Sequence, residues 1–202
     1  MKRTILFQGD SITDCGRKDT EDNLGNGYVR LIAEHLAVTE PDAVVVNRGI
    51  YGNRSDHLRA RWQEDCLNLF PHCLTVLIGT NDCWEKIDYN RAFSLEEFGQ
   101  TYDSMLKEAV EGGVRELVLM EPFVLPHPPE RLAWRDTLDK QISVVRTLAL
   151  QYGARLVPLD GLFAQAACCH DFHELTEDGV HPTAQGHRLI ADAWLEAVRS
   201  CS

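Results

Sequence analysis

Five short runs of apolar residues punctuate the chain: "TILFQ" (4–8), "AVVVN" (43–47), "LTVLIG" (74–79), "ELVLM" (116–120) and "ARLVPL" (154–159). Their apolar positions are consecutive rather than alternating, the pattern of strands buried on both faces of a parallel sheet. Longer stretches of helical period lie between them. Ser94-Leu95-Glu96-Glu97 offers a capping box, and Leu95, Phe98, Tyr102, Met105, Leu106 and Ala109 follow at helical spacing until Gly112-Gly113 ends the run. Pro129 opens a further helix to about Gln151, closed by Gly153. The last helix is expected from Pro182, with Leu189, Ile190, Ala193, Trp194, Ala197 and Val198 on one face. This alternation predicts a three-layer α/β/α sandwich around a five-stranded, mostly parallel sheet. No linker, repeat or low-complexity tract interrupts it, so residues 1–202 read as one domain.

Composition narrows the function classes. An apolar fraction of 44% and a charged fraction of 25% are those of an ordinary globular protein, and no stretch is long enough to cross a membrane. The start, "MKRTILFQGDSI", has basic residues and a short apolar run that meets Gly-Asp without a small-residue cleavage site, so a signal peptide is not expected. Seven cysteines, at positions 15, 66, 73, 83, 168, 169 and 201, are odd in number and irregular in spacing. They read as reduced thiols in the cytoplasm. A formal charge of −11 opposes nucleic acid and anionic lipid surfaces, leaving a small-molecule partner.

In open parallel sheets ligands bind beyond the carboxyl ends of the strands, and polar, glycine-bearing turns follow the first three runs here. Ser11 comes after the first, Gly49 to Asn53 after the second, and Gly79-Thr80-Asn81-Asp82 after the third. A serine hydroxyl is a weak nucleophile; it needs an imidazole to take its proton and a third group to orient that imidazole. Asp178-Gly179-Val180-His181 supplies both within four residues, and Pro182 is expected to hold His181 at the mouth of the last helix. An oxyanion hole needs preorganised donors. Gly52, Asn81 and the Ser11 amide are the candidates, with Gly49 competing for the glycine role.

Four blocks carry a resemblance: "GDSIT" (9–13), "GIYGNRS" (49–55), "GTND" (79–82) and "DGVHP" (178–182). In this order the chain resembles the SGNH, or GDSL, hydrolases over residues 4 to 196, with Ile12 where the name has leucine. The resemblance implies a flavodoxin-like fold and a serine esterase with Ser11 as nucleophile, His181 as base and Asp178 as its partner. It assigns the oxyanion hole to Ser11, Gly52 and Asn81, and needs no cofactor. "GNGYV" (25–29), "LRARW" (58–62), "GTNDCW" and "MEPFVLP" (120–126) are similar to intracellular acetylxylo-oligosaccharide esterases. That similarity implies removal of acetyl groups from sugars, and assembly into homo-oligomers.

Plainer readings stand beside these. Ser11 fits a turn or helix cap, Gly52 a positive-φ turn, Asn81 a loop-closing amide, and Asp178 with His181 a helix entry. Asp10 reads as a brace for the turn. Asp82 is either a support or a substrate contact, and Trp84 either a platform for a sugar face or a packing residue. Cys168, Cys169, His170 and His173 invite a zinc reading. Adjacent cysteines seldom share one tetrahedral site and no second ligand pair stands at zinc spacing, so no metal is expected. The alternative enzymes are a lysophospholipase or an acyl-thioesterase of the same family; outside enzymes, a binding module that keeps the fold without turnover.

Overall fold

The computed structural model describes residues 3–199; Cys201 lies outside them. Its strands are β1 (Arg3–Gly9), β2 (Ala43–Asn47), β3 (Cys73–Leu77), β4 (Glu116–Met120) and β5 (Arg155–Val157). They form one parallel sheet in the order β2-β1-β3-β4-β5. The helices, in chain order, are α1 (Ser11–Asp14), α2 (Tyr28–Thr39), α3 (Ser55–Ala60), α4 (Trp62–Asp65) and α5 (Thr80–Asp88). Then come α6 (Leu95–Glu111), α7 (Arg135–Tyr152), α8 (Leu159–Ala166), α9 (Phe172–Leu175) and α10 (Ala184–Arg199).

Because side chains alternate across a strand, the sheet sends Ile5, Phe7, Leu77, Val118 and Met120 to one face and Leu6, Leu74, Val76, Leu117 and Leu119 to the other. The first face is covered by Tyr28, Val29 and Ile32 of α2, Phe163 of α8 and Ile190 and Trp194 of α10. The second is covered by Leu58, Trp62, and Phe98, Tyr102 and Met105 of α6, with Val145 and Leu148 of α7. Thr75 is the polar residue on the inner face of central β3, and the Trp194 indole satisfies it with a 2.9 Å hydrogen bond.

The periodic helices form as expected. The Ser94 hydroxyl accepts from Glu97 N–H at 3.2 Å to start α6, and Gly153 closes α7 in the left-handed region. Two boundaries differ. The segment from Pro129 runs as a 3-10 helix to Trp134 before α7 begins. Pro182 does not open the last helix, which begins at Ala184; it forms an isolated antiparallel bridge with Thr176. Bridged and sequestered there, it pinches the 176–182 segment into a closed loop, and that loop carries Asp178 and His181.

β1 is the switch point at which the strand order reverses, and the crevice beyond its carboxyl end is where such sheets bind ligands.

Candidate active site

β1 ends at Gly9, and the chain turns at once into α1. Asp10 caps it, its Oδ1 accepting from Ile12 N–H at 3.0 Å, which presents Ser11 as the first helical residue at the sheet edge. Burial raises the Asp10 carboxyl to about 7 although Ile12 N–H opposes it, and Oδ2 is buried with no hydrogen-bond partner. Asp10 braces the turn, as its position suggests.

The 176–182 loop brings its residues to the same edge. His181 Nε2 lies 3.1 Å from Ser11 Oγ, and its Nδ1 lies 2.9 Å from Asp178 Oδ2. The second Asp178 oxygen accepts from His181 N–H at 2.8 Å and from Val180 N–H at 3.0 Å. Burial alone would raise the Asp178 carboxyl, but the imidazole and backbone donors outweigh it and hold the group below the ordinary carboxylate range. Asp178 is therefore ionised and can only accept, so Nδ1 of the neutral ring carries the proton and Nε2 offers a lone pair to Ser11. The bond to Asp178 in turn raises the His181 pKa despite partial burial. Gly179 has a φ of 86°, and a Cβ there would strike the carbonyls of Leu125 and His127, so the loop sits tight on the β4–α7 connection. Gly179 carbonyl also accepts from Leu125 N–H at 2.8 Å.

The second block forms a turn closed by Asn53 N–H donating to Ile50 carbonyl at 3.1 Å, with Gly52 at φ 72°. Buried and half-buried backbone donors must find partners, and a donor census of this segment is informative. Arg48 N–H goes to Phe7 carbonyl, Gly49 N–H to Asn47 Oδ1, Ile50 N–H to Gly9 carbonyl and Tyr51 N–H to Asp14 Oδ2. Arg54 N–H goes to His57 and Ser55 N–H to Asp82. Among the described residues the Gly52 N–H has no partner, and nothing lies within 4 Å of the position its Cβ would take. Gly49 is spent on packing: a Cβ there would collide with the Thr13–Asp14 backbone. Of the two glycines, Gly52 is the one with a donor to offer. The Ser11 N–H is likewise without a partner among the described residues.

Asn81, in the first turn of α5, donates from Nδ2 to Asn53 carbonyl at 3.0 Å, which leaves its second amide hydrogen for another acceptor. Asp82, the next residue of α5, faces Ser55. It is buried, and its Oδ1 accepts from Ser55 Oγ at 2.5 Å while both oxygens face Ser55 N–H. It supports the loop after Gly52, and burial raises it to about 6 against those hydrogen bonds. Trp84 is half-buried, its ring 5.8 Å from the His181 ring, with the Arg131 guanidinium 4.3 Å over its face. One face is thus already occupied by a cation.

Ser11, Asp14, Cys15, Tyr51, Glu177 and His181 line an open cleft of about 390 Å³. Tyr51 lies parallel to the His181 ring at 6.5 Å. At the cleft floor Tyr28 N–H donates to His187 Nδ1 at 3.1 Å, so His187 is neutral and its Nε2–H points at Cys15 Sγ, 3.4 Å away. Burial lowers His187 to about 4. Tyr51 lies inside the second block, and Cys15 and His187 stand just beyond the first and last blocks.

Cys168 and Cys169 are exposed, His170 pairs with Glu174 at 3.0 Å, and His173 packs on His127. No three His, Cys, Asp or Glu side chains gather as a metal site among the described residues. No helix among them is long and apolar enough to cross a membrane.

Residues 7–189 match the family model described as GDSL-like lipase/acylhydrolase. An acetylxylan esterase from Geobacillus stearothermophilus is 33% identical over 96% of this chain and 93% of its own length. The crystal structure of an acetylxylan esterase from that organism superposes with a TM-score of 0.88 at 33% identity, covering 98% of this chain and 97% of that one. An alpha/beta hydrolase enzyme from the metagenome of Lake Arreo, Spain, gives 0.89 at 32% identity, covering 96% and 94%.

Proposed function

The chain belongs to the GDSL-like lipase/acylhydrolase family and is a carboxylic ester hydrolase, and from that premise we propose that it removes acetyl groups from carbohydrates by serine acyl transfer. The observation that carries the reading is the continuous relay from Ser11 Oγ through His181 to Asp178; the unpartnered N–H of Gly52, on the loop after β2, supports it. Ser11 attacks the acetyl carbonyl as its proton passes to His181 Nε2. The carbonyl oxygen becomes an oxyanion that accepts from Ser11 N–H, Gly52 N–H and the free Asn81 hydrogen. Collapse breaks the bond to the sugar oxygen, which leaves with the proton from His181. Water then attacks the acetyl-serine, giving its proton to His181, and acetate departs as that proton returns to Ser11.

Two observations support a sugar as leaving group. The cleft beside Ser11 is lined by Asp14, Glu177, Tyr51 and His187, groups suited to hydroxyls rather than to an alkyl chain. The acetylxylan esterase relative matches along nearly the whole chain. A cytoplasmic, reducing setting belongs to the same reading. Burial pushes the Cys66, Cys73 and Cys83 thiols up to about 12, as befits unreactive core residues.

Acyl length tests the proposal. A groove open to long chains would gain about 0.8 kcal/mol for each methylene it buries. A pocket closed around one methyl group would instead lose about 1–3 kcal/mol to overpacking. The expected result is a steep fall of kcat/KM from acetate to octanoate esters, with acetylated sugars better than aryl acetates. A flat or rising profile would replace the acetylesterase with a lysophospholipase or acyl-thioesterase.

A further inference from the structure

The three oxyanion donors of the proposed mechanism stand on three separate loops, after β1, β2 and β3. Their mutual placement needs a tie that the sheet does not itself supply. Asn81 joins the third loop to the second, and one other side chain joins the second to the first. Arg61, between α3 and α4, is largely buried, its side chain 13% exposed. Its Nε donates to Asn53 Oδ1 at 2.8 Å. Its Nη1 donates to Arg48 carbonyl at 2.9 Å, Gln8 Oε1 at 2.8 Å and Asp65 Oδ2 at 3.1 Å, and its Nη2 donates to Gly9 carbonyl at 3.1 Å.

These acceptors bracket the two backbone donors. Gly9 lies two residues before Ser11. Arg48 and Asn53 flank the turn that presents Gly52. The Gly9 carbonyl also accepts from Ile50 N–H, so the end of β1, the turn and the guanidinium meet at one oxygen. From the far side Arg17 Nε donates to Gly49 carbonyl at 2.6 Å, and Asn81 holds Asn53 carbonyl. Only the Gly52 N–H is left free within this clamp.

We propose that Arg61 is the positioning residue of the oxyanion hole, setting the separation of the Ser11 and Gly52 N–H groups without touching substrate. The inference rests on the serine-esterase reading above. Preorganised donors stabilise charge only when they already point at the place where it develops. Loosening the clamp should therefore lower the rate of acyl transfer more than the affinity for ester. A planar fan of N–H groups reaching acceptors on three segments cannot be imitated by one ammonium, so lysine should not restore it.

The test compares Arg61→Met, Arg61→Lys and Asn53→Ala with wild type and with Arg59→Met, a control two residues earlier at the end of α3 whose partner is Glu108. Sites competent to form a covalent adduct are first counted by end-point labelling with a fluorophosphonate, and kcat is then expressed per labelled site. Expected are a loss of roughly a hundredfold in kcat per site for Arg61→Met and Arg61→Lys, with KM within about threefold. A trifluoromethyl ketone, which forms a tetrahedral oxyanion on the serine, should weaken by the same factor. Asn53→Ala, which removes one of the held acceptors, should fall in the same direction by a smaller factor, and it carries the test if the Arg61 variants do not accumulate folded. Arg59→Met should match wild type. Per-site kcat within threefold of wild type, with only thermal stability lost, would overturn the assignment and leave Arg61 a scaffold residue. Failure of wild type to label at Ser11 would instead remove the esterase mechanism beneath it.

Discussion

Asn81 holds Asn53: its Nδ2 donates to the Asn53 carbonyl at 3.0 Å, joining the loop after β3 to the loop after β2. The same amide thus fixes the residue next to Gly52 and, in the proposed mechanism, offers its second hydrogen to the oxyanion. Asn81→Ala should lower kcat by roughly 10²–10³-fold, the range for losing one oxyanion donor, with a smaller change in KM. Steady-state kinetics on an acetyl ester checks this. An unchanged kcat with a raised KM would make Asn81 a substrate-binding residue.

In the proposed mechanism Ser11 and His181, 3.1 Å apart, act as one proton-transfer unit, so single losses should cost nearly the whole effect. Ser11→Ala and His181→Ala should each retain less than about a hundredth of wild-type kcat while keeping the native circular dichroism and Tm. Ser11→Ala should also resist fluorophosphonate labelling.

The pH profile follows from the His181–Asp178 bond. Protonated His181 cannot accept the Ser11 proton, so activity rises as pH rises through the His181 pKa. The hydrogen bond to Asp178 raises that pKa from its usual 6.5, which places the acid limb of kcat/KM above this value. Asp178→Asn removes the charge that stabilises the imidazolium. The limb should move to lower pH while the plateau falls by roughly 10⁴-fold, since the imidazole also loses its orientation. A limb that stays in place would mean that Asp178 does not tune the base.

His187 gives a stability effect of opposite character. Burial lowers its pKa to about 4 from 6.5, so between these values the unfolded chain binds a proton that the folded chain refuses. Folding stability should therefore fall as pH drops from 6.5 towards 4. His187→Asn keeps an acceptor for Tyr28 N–H but does not titrate. The stability advantage of wild type over this variant should shrink by about 2 kcal/mol between pH 7 and pH 5, at 1.36 kcal/mol per unit. Urea unfolding at the two pH values measures it; a constant difference would mean that His187 is protonated in the folded protein.

Legibility in the sequence tracked the range of the interaction. "AVVVN" and "ELVLM" coincide with β2 and β4, because an apolar run between turn residues is a local signal. "ARLVPL" shrinks to three residues of β5 because Pro158 has no N–H for the ladder. Helices α1, α3 and α4, of four to six residues, are too short to show a period. Ser11, Asp178 and His181 stood out because turn residues surround them. Arg61 lay inside the quoted "LRARW" without a role, since its five acceptors are scattered over residues 8 to 65 and nothing local marks them. The choice between Gly49 and Gly52 likewise required knowing which N–H the fold leaves unused.

Ser11 and His181 touch at 3.1 Å yet stand 170 positions apart in the chain. At a synthesis rate of about 5–20 residues per second, the ribosome completes the nucleophile roughly 10 to 30 seconds before it reaches the base. A nascent chain holding β1 to β4 would have its proposed nucleophile and all three oxyanion loops, but no means of removing the serine proton. Hydrolysis thus begins only after the final loop has docked against the β4–α7 connection. The recovery of ester cleavage during refolding would register the last long-range closure of the polypeptide, later than any spectroscopic sign of the sheet.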